Sequence, residues 1–340
     1  MKRALMIFLS AFLLLGCLSS AYAEETYALS EDGYMQGYMV IDGHEISLDA
    51  LFDGEIPKQL KNILLEAAGH THQQIREVID RFFTPVDDLD HRWGSSPKGT
   101  YSFYSLVGGP GPSQTVMDDY HEISAGIQDE ALAKVVAQCK ALLDALGVSY
   151  YPIPNFASYY TVKQLPSGGF EGNAVTQAEA AHIENLRCSV VLSLVVDGVM
   201  LPPGYTGDMG SSDGVNGDNV LVDDPTANFH FDERGRLITF SVSTYAIKEE
   251  AIIHEPLLSW QEALESWHRE LSAEDYAADY FAQCDMKITR IQYVWLTSFR
   301  NVLRPGWYFE LVTPNKETGE PDGYWVYSFG VGVDAMTGGV

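Results

Sequence analysis

Hydrophobic and polar residues alternate along many segments of the chain, and an alternation with a period of two predicts half-buried β-strands. The pattern is clearest in residues 324–334, where one face of the predicted strand carries Trp325, Tyr327, Phe329, Val331 and Val333. A weaker alternation over 38–46 predicts a short hairpin around Asp42-Gly43. The other predicted strands cover residues 101–107, 157–164, 187–196, 228–232, 236–244, 286–296 and 306–313.

Apolar residues spaced three and four positions apart predict helices elsewhere. The clearest helix covers 128–146 and is followed by a capping glycine, Gly147. Its apolar stripe contains Leu132, Val135, Val136, Cys139, Leu142, Leu143 and Leu146. The capping box Ser259-Trp-Gln-Glu262 predicts a second helix, whose buried face would contain Trp260, Leu264, Trp267 and Leu271. Helical spacing also covers 57–82, with a break at Gly69, and 275–284.

The order of these elements indicates an α+β fold made of tandem modules, each with one long helix packed on an antiparallel sheet. The first module would span residues 116–250 and the second residues 251–340, after an N-terminal region, 24–115, that is helical with short strands. Both modules close on a strand that reaches an aspartate and turns at a glycine. These endings are Phe229-His-Phe-Asp-Glu-Arg-Gly235 and Val331-Gly-Val-Asp-Ala-Met-Thr-Gly338.

Residues 1–23 have the organisation of a secretory signal peptide. Lys2 and Arg3 precede an apolar run that is shorter than the ~20 residues needed to span a bilayer. The small-residue site that ends at Ala23 favours cleavage there, which predicts a secreted, extracellular protein. The stretch Leu14-Leu-Gly-Cys17 also resembles a lipobox. Lipidation of Cys17 would instead hold the protein on the outer face of the cytoplasmic membrane, and the sequence leaves both alternatives open.

The chain is strongly acidic, with 47 Asp and Glu residues, 21 Lys and Arg residues and a net charge of −26. Removal of residues 1–23 takes away two cations and no acid, which changes the net charge to −28. Nucleic acid is therefore not an expected partner, because phosphate binding needs a basic surface.

Three cysteines remain after the signal peptide, Cys139, Cys188 and Cys284. This odd number allows one disulfide at most and leaves the pairing open. Because Cys139 belongs to the apolar stripe of its helix, we expect it to be a small buried hydrophobic residue.

The second half of the chain resembles a known group of domains. Residues 257–271, 288–296, the segment Arg304-Pro-Gly-Trp-Tyr-Phe309 and the ending 331–338 are similar to PepSY-type and YycH/YycI-type domains. These are exported, often membrane-anchored modules whose last strand ends hydrophobic-x-Asp-Ala-x-Thr-Gly. Val195-Val-Asp-Gly198 and the ending 229–235 are similar to a preceding copy in uncharacterised secreted proteins of Gram-positive anaerobes. The resemblance implies a non-enzymatic accessory or inhibitory module that regulates a partner protein outside the cell.

Candidate ligands for calcium lie in the loop 201–224, which is rich in Gly and Asp. Asp208, Asp213 and Asp218 offer carboxylate oxygens, the ligands that calcium prefers. The loop lacks the regular spacing and the downstream glutamate of an EF-hand. Calcium is therefore a weaker hypothesis than an acidic surface loop.

A zinc site near His70 and His72, with Asp90 and His91, is disfavoured because residues two apart on a helix face different directions. We find no motif for nucleophilic catalysis, such as Gly-x-Ser-x-Gly. The many acids leave open a carboxylate pair for glycoside hydrolysis.

Aromatic residues are dense in the last block, and on antiparallel strands such density favours a buried core over a groove lined by rings. They are Trp295, Trp307, Tyr308, Phe309, Trp325, Tyr327 and Phe329. The leading hypothesis is an exported, non-enzymatic binding or regulatory accessory protein of the cell envelope, with an envelope or extracellular protein as partner and no cofactor. The alternatives are an extracellular hydrolase that acts on glycan or peptide, and a calcium-dependent binding module.

Overall fold

The strands of the protein form two sheets, one of ten strands and one of seven. A computed structural model describes residues 26–67, 71–84, 91–95, 101–106, 127, 129–164, 170–175, 186–202, 226–274, 282–298, 302–314, 316 and 329–338. Within these ranges, strands far outnumber helices.

The larger sheet has the order β1-β2-β3-β15-β16-β4-β14, with β11 beside β15, β10 paired to β11, and β17 paired to β16. Its strands are Thr26–Leu29 (β1), Tyr34–Ile41 (β2), His44–Asp53 (β3), Lys61–Ala67 (β4), Val195–Val196 (β10), Val199–Met200 (β11), Tyr245–Ile252 (β14), Met286–Ser298 (β15), Val302–Val312 (β16) and Phe329–Asp334 (β17). The long strand β15 lies in the middle, parallel to β3 and antiparallel to β16.

The smaller sheet is antiparallel throughout and has the order β5-β6-β13-β12-β9-β7-β8. Its strands are His91–Ser95 (β5), Tyr101–Leu106 (β6), Phe156–Gln164 (β7), Phe170–Val175 (β8), Arg187–Ser193 (β9), Thr226–Phe231 (β12) and Leu237–Ser243 (β13).

Two strands run from the smaller sheet directly into the larger one. β9 continues through Leu194 into β10, and β13 continues through Thr244 into β14. Both connecting residues are buried. We call the region around Leu194 and Thr244, where the sheets join, the seam.

Three helices lie among the described residues: His72–Phe82 (α1), Glu130–Leu146 (α2) and Trp260–Ser272 (α3). α1 packs on α2, α2 contacts β7 and β9, and α3 lies on β16 and β17. The indole nitrogen of Trp307 fixes the start of α3 by donating to the carbonyl of Leu258 at 2.9 Å. The main apolar core includes side chains from both sheets and from all three helices. A second, smaller cluster contains Met200, Val294, Leu296 and Tyr308.

Several local predictions are confirmed. Gly147 caps α2 in the left-handed conformation with φ of 69°, and Ser259 and Glu262 form the capping box of α3. The first hairpin turns at Asp42-Gly43, where φ is 50° and 84°.

The expected α+β fold of tandem helix-on-sheet modules is wrong. The larger sheet is mixed, and its strands pair across the expected modules. β15 pairs with β3 from the N-terminal region, and β14 pairs with β4. Periodicity shows which face of a strand is buried, but it does not show which strand is the neighbour. The order of elements along the chain therefore could not predict the sheets.

The helix expected from Pro57 is wrong over residues 61–67, which form β4. Leu60, Leu64 and Ala67 have helical spacing, but the buried side chains are Ile63 and Leu65, two positions apart. Pairing with β14 and β16 decides the outcome, because tertiary contacts override a short local pattern. The helix begins only after Thr71, whose side chain accepts from the amide of Gln74.

Substitution of Gly37 tests how closely β1 approaches β2. Gly37 has φ of 146°, and a Cβ there would lie 2.0 Å from the carbonyl oxygen of Thr26. We expect Gly37→Ala to lower the free energy of unfolding by ~2–3 kcal/mol, since β1 must move away. Gly43→Ala is the control, because it has positive φ but nothing within 4 Å and is expected to cost only ~1 kcal/mol. Denaturant unfolding measures both, and equal losses would contradict the close approach.

Candidate functional site

A cleft of about 200 Å³ opens at the seam. It lies between the C-terminal end of α2, the turn after β10 and the first half of β14. The described residues that line it are Leu65, 147–149, 194–197 and 243–247. Most of this lining is backbone, aliphatic side chain or hydroxyl, so the cleft offers hydrogen-bonding groups and a small apolar wall.

The end of α2 gives the cleft a negative potential. Gly147 and Val148, which follow the helix and line the cleft, donate their amides to the carbonyls of Asp144 and Leu143. The last turn of α2 has no basic residue, so no cation within that turn offsets the partial negative charge of the helix end. The carboxylate of Asp144 accepts from the Tyr150 hydroxyl at 3.4 Å.

Lys61 joins three elements beside the cleft. Its ammonium lies 2.7 Å from the carboxylate of Asp197, in the turn after β10, and 2.6 Å from that of Glu250 on β14. Hydrogen bonds to Asp197 and Glu250 raise the pKa of Lys61, so this cation stays charged at neutral pH. The pairing neutralises one of the two carboxylates and leaves the group with a net negative charge.

β14 forms an edge of the larger sheet, since it pairs with β4 on one side and ends the strand order among the described strands. All of its residues are exposed or half-buried. Ile247 and Ile252 are 42% and 55% exposed, which is high for large apolar side chains. An exposed strand edge with unburied isoleucines is a surface onto which another chain can pair.

The backbone of β14 alternates between β4 and the open edge. The amide of Ile253, just after the strand, donates to Leu60 at 2.9 Å. Because consecutive amides of a strand point to opposite sides, those of Ala251 and Glu249 face β4. The amides of Glu250 and Ile252 therefore face outward.

A second group of polar residues lies buried or half-buried on one face of the larger sheet. Asp53 accepts from the Tyr151 hydroxyl at 2.8 Å and from the Gln292 amide at 3.2 Å. The Arg290 guanidinium lies over the rings of Tyr151 and Tyr308. Burial raises the pKa of Tyr151 to about 12, so its hydroxyl stays protonated.

The contacts of this polar group orient the strands and do not form an open ligand site. Arg290 lies opposite Glu310 in the ladder between β15 and β16, and each is 1% exposed. Tyr151 belongs to the segment after α2, whose backbone pairs with β9 at Ser193. The group thus ties that segment to the centre of the larger sheet, and its burial leaves no room for a ligand to approach Arg290 from solvent.

A histidine pair links the first hairpin to α3. Nδ1 of His44 and Nε2 of His268 are 3.1 Å apart. The ring centroids are 5.2 Å apart, which is close to full extension for two rings joined by an N–H···N bond. Such alignment suits a shared proton rather than a metal ion. Burial lowers the pKa of His268, the neighbouring His44 lowers it further, and Asp42 acts in the opposite direction.

Among the described residues, no three His, Cys, Asp or Glu side chains are grouped so that they could hold a metal ion. The calcium candidates Asp208, Asp213 and Asp218, together with Cys17, lie outside the described residues, so both hypotheses stay predictions. His70 and Asp90 also lie outside them, and the side chains of His72 and His91 are not described.

The cysteines Cys139, Cys188 and Cys284 are buried thiols, and the expected burial of Cys139 is confirmed. Burial raises the pKa of Cys188 to about 12 and that of Cys139 well above its usual range, so neither is a reactive thiolate. The core interpretation of the aromatic residues is confirmed for Trp295, Trp307, Tyr308 and Phe309. Trp325 and Tyr327 lie outside the described residues, and the side chain of Phe329 is not described.

Sequence reasoning missed the edge strand. Residues 245–252 read Tyr-Ala-Ile-Lys-Glu-Glu-Ala-Ile, which has no period of two. The ladder with β4 contains a bulge between Ile247 and Glu249, and a bulge shifts the alternation by one residue. The available signal was Ile247 and Ile252 on either side of three charged residues.

No protein-family model and no curated protein matches the chain. One solved structure that it resembles is the crystal structure of an uncharacterized protein from Eubacterium rectale ATCC 33656. The identity is 12%, the match covers 88% of this chain and 92% of that chain, and the TM-score is 0.47. A likeness of this size supports no statement about function.

In the part of the chain that the structure describes, no helix has the length and apolar character needed to cross a membrane.

The half-buried histidine His230 predicts a pH dependence of stability. Burial lowers its pKa from 6.5 to about 4, so the folded protein holds it neutral while the unfolded chain takes up a proton. The contribution of neutral His230 to the free energy of unfolding is complete above pH 6.5 and is lost as the pH falls toward 4. We expect the His230→Gln variant to lose less unfolding free energy than the wild type over this interval, by on the order of 3 kcal/mol.

Denaturant midpoints at several pH values measure this difference. The exposed His254 offers a matched control, and His254→Gln should follow the wild-type profile. A His230→Gln profile parallel to that of the wild type would show that the neutral histidine does not carry the pH dependence.

Proposed function

We propose that the protein is exported and acts by binding a partner protein outside the cell, as an accessory or regulatory component of the envelope. The observation that carries this proposal is the exposed edge of β14 beside the cleft at the seam. An open strand edge supplies backbone hydrogen bonds, and an adjacent cleft supplies a place for one side chain. This combination is the common architecture for recognition of an extended peptide segment.

The composition of the cleft supports binding rather than catalysis. Hydrolysis of glycan or peptide needs two facing carboxylates or an activated nucleophile. Among the described residues that line the cleft, Asp197 is the one carboxylate, and it is paired with Lys61. The hydroxyls of Ser149, Ser243 and Thr244 have no histidine beside them in that lining. The hydrolase alternative therefore finds no support at this site.

The signal peptide and the resemblance to PepSY-type and YycH/YycI-type domains point in the same direction, since those modules are exported and act on other proteins. Export and action on a partner protein are thus expectations from the sequence. The geometry supports the location of the binding surface, at β14 and the seam.

Site-specific cross-linking tests the proposed location. We expect a photo-reactive residue in place of Ile247, made in cells that export the protein, to form a cross-link with one defined partner protein. The same residue in place of Leu29 is the control, because Leu29 is also an exposed large apolar residue (53%, against 42% for Ile247) but lies on β1 at the opposite edge of the sheet. Gel electrophoresis and mass spectrometry identify the products.

Equal cross-linking from Leu29 and Ile247 would show non-specific contact and contradict the location. Absence of any protein cross-link, together with turnover of an added glycan or peptide by the purified protein, would favour the hydrolase alternative.

A further inference from the structure

From the chemistry of the seam we infer that the partner contributes an extended segment carrying Lys or Arg, which adds as a strand to the open edge of β14 and places one cationic side chain in the cleft. This inference rests on the proposed function and names the chemistry of the partner.

The outer edge of β14 has main-chain groups that can pair with another strand. The outward amides and carbonyls of Glu250 and Ile252 can form a ladder with an incoming strand, as deduced from the hydrogen bond between Ile253 and Leu60. The ladder itself is independent of sequence, since it uses main-chain groups. Selectivity must therefore come from side chains along the edge and from the cleft.

Acidic residues outnumber basic ones along this edge. The acidic residues on β4, β14 and the adjoining turn and helix end are Glu66, Asp144, Asp197, Glu249 and Glu250, and the basic residues are Lys61 and Lys248. Lys61 is already held by Asp197 and Glu250. The remaining potential is negative, and the C-terminal end of α2 adds to it inside the cleft. A cationic side chain complements both sources.

A second copy of this chain is the less favourable occupant. Each copy has a net charge of −26, so pairing β14 with β14 would bring two strongly acidic surfaces together. A basic segment gains from the same field, which raises its rate of association.

The closing experiment uses the purified protein and a fluorescent peptide of about ten residues that alternates lysine with valine. A glutamate-for-lysine peptide tests charge. A peptide with the same lysines but N-methylated backbone amides tests strand pairing, because its charge is kept and its donors are removed. Fluorescence anisotropy gives each dissociation constant. We expect the lysine peptide to bind at least about tenfold more tightly than either control, and its binding to weaken as salt is raised.

Two substitutions at one position locate the binding to β14. Glu250→Pro removes the outward amide and the carboxylate, while Glu250→Ala removes only the carboxylate. Proline is tolerated on an edge strand where the amide faces solvent. We expect Glu250→Pro to weaken binding of the lysine peptide by about tenfold or more relative to Glu250→Ala. If Glu250→Pro does not fold, the comparison between the lysine and N-methylated peptides on the wild-type protein shows whether binding depends on strand pairing.

Equal binding of the lysine and glutamate peptides, or of the lysine and N-methylated peptides, would overturn the inference, as would self-association of the protein through β14. If Ile247 cross-links to a partner while the lysine peptide does not bind, the proposed function stands and only the basic strand is wrong. If neither is observed, both fail.

Discussion

The structure depends on the continuity of two strands across the seam. β9 and β13 leave the smaller sheet at Leu194 and Thr244 and enter the larger sheet without a loop. Buried backbone groups need hydrogen-bond partners. The backbone before each of these two residues pairs in the smaller sheet and the backbone after it pairs in the larger sheet, so Leu194 and Thr244 fix how the two sheets are placed. β10 then pairs with β11, which lies beside β15, and the Trp295 indole of β15 donates to the Val196 carbonyl at 2.9 Å. β14 is directed to the outside of β4.

The candidate binding surface follows from the same constraint. Because β13 crosses at Thr244, β14 becomes the last described strand of the larger sheet and its outer backbone groups stay open. Because β9 crosses at Leu194, the end of α2 and the turn at Asp197 face the start of β14 and enclose the cleft. The ion pairs of Lys61 with Asp197 and Glu250 join β4, the turn after β10 and β14. The proposed binding surface, the outer edge of β14 and the cleft, thus results from the crossing of these two strands between the sheets.

Local features of the fold could be predicted from the sequence. The caps at Gly147 and Ser259 depend on neighbours within four residues, and so does the turn at Asp42-Gly43. The pairing of β3 with β15 could not be predicted, since the two strands are distant in sequence and their patterns are compatible with many neighbours. The binding edge was missed for a related reason. The bulge after Ile247 removes the alternation, and exposure on both faces leaves no apolar period to detect.

Hydrogen exchange of the amides of β14 tests the central claim most directly, namely that its outer edge is open and available to a partner. The amides of Glu249 and Ala251 face β4 and are expected to exchange slowly, while those of Glu250 and Ile252 face outward and are expected to exchange at rates close to those of an unstructured chain. Slow exchange of all four amides in the isolated protein would mean that the edge is already paired. That result would contradict the assignment of β14 as the binding strand.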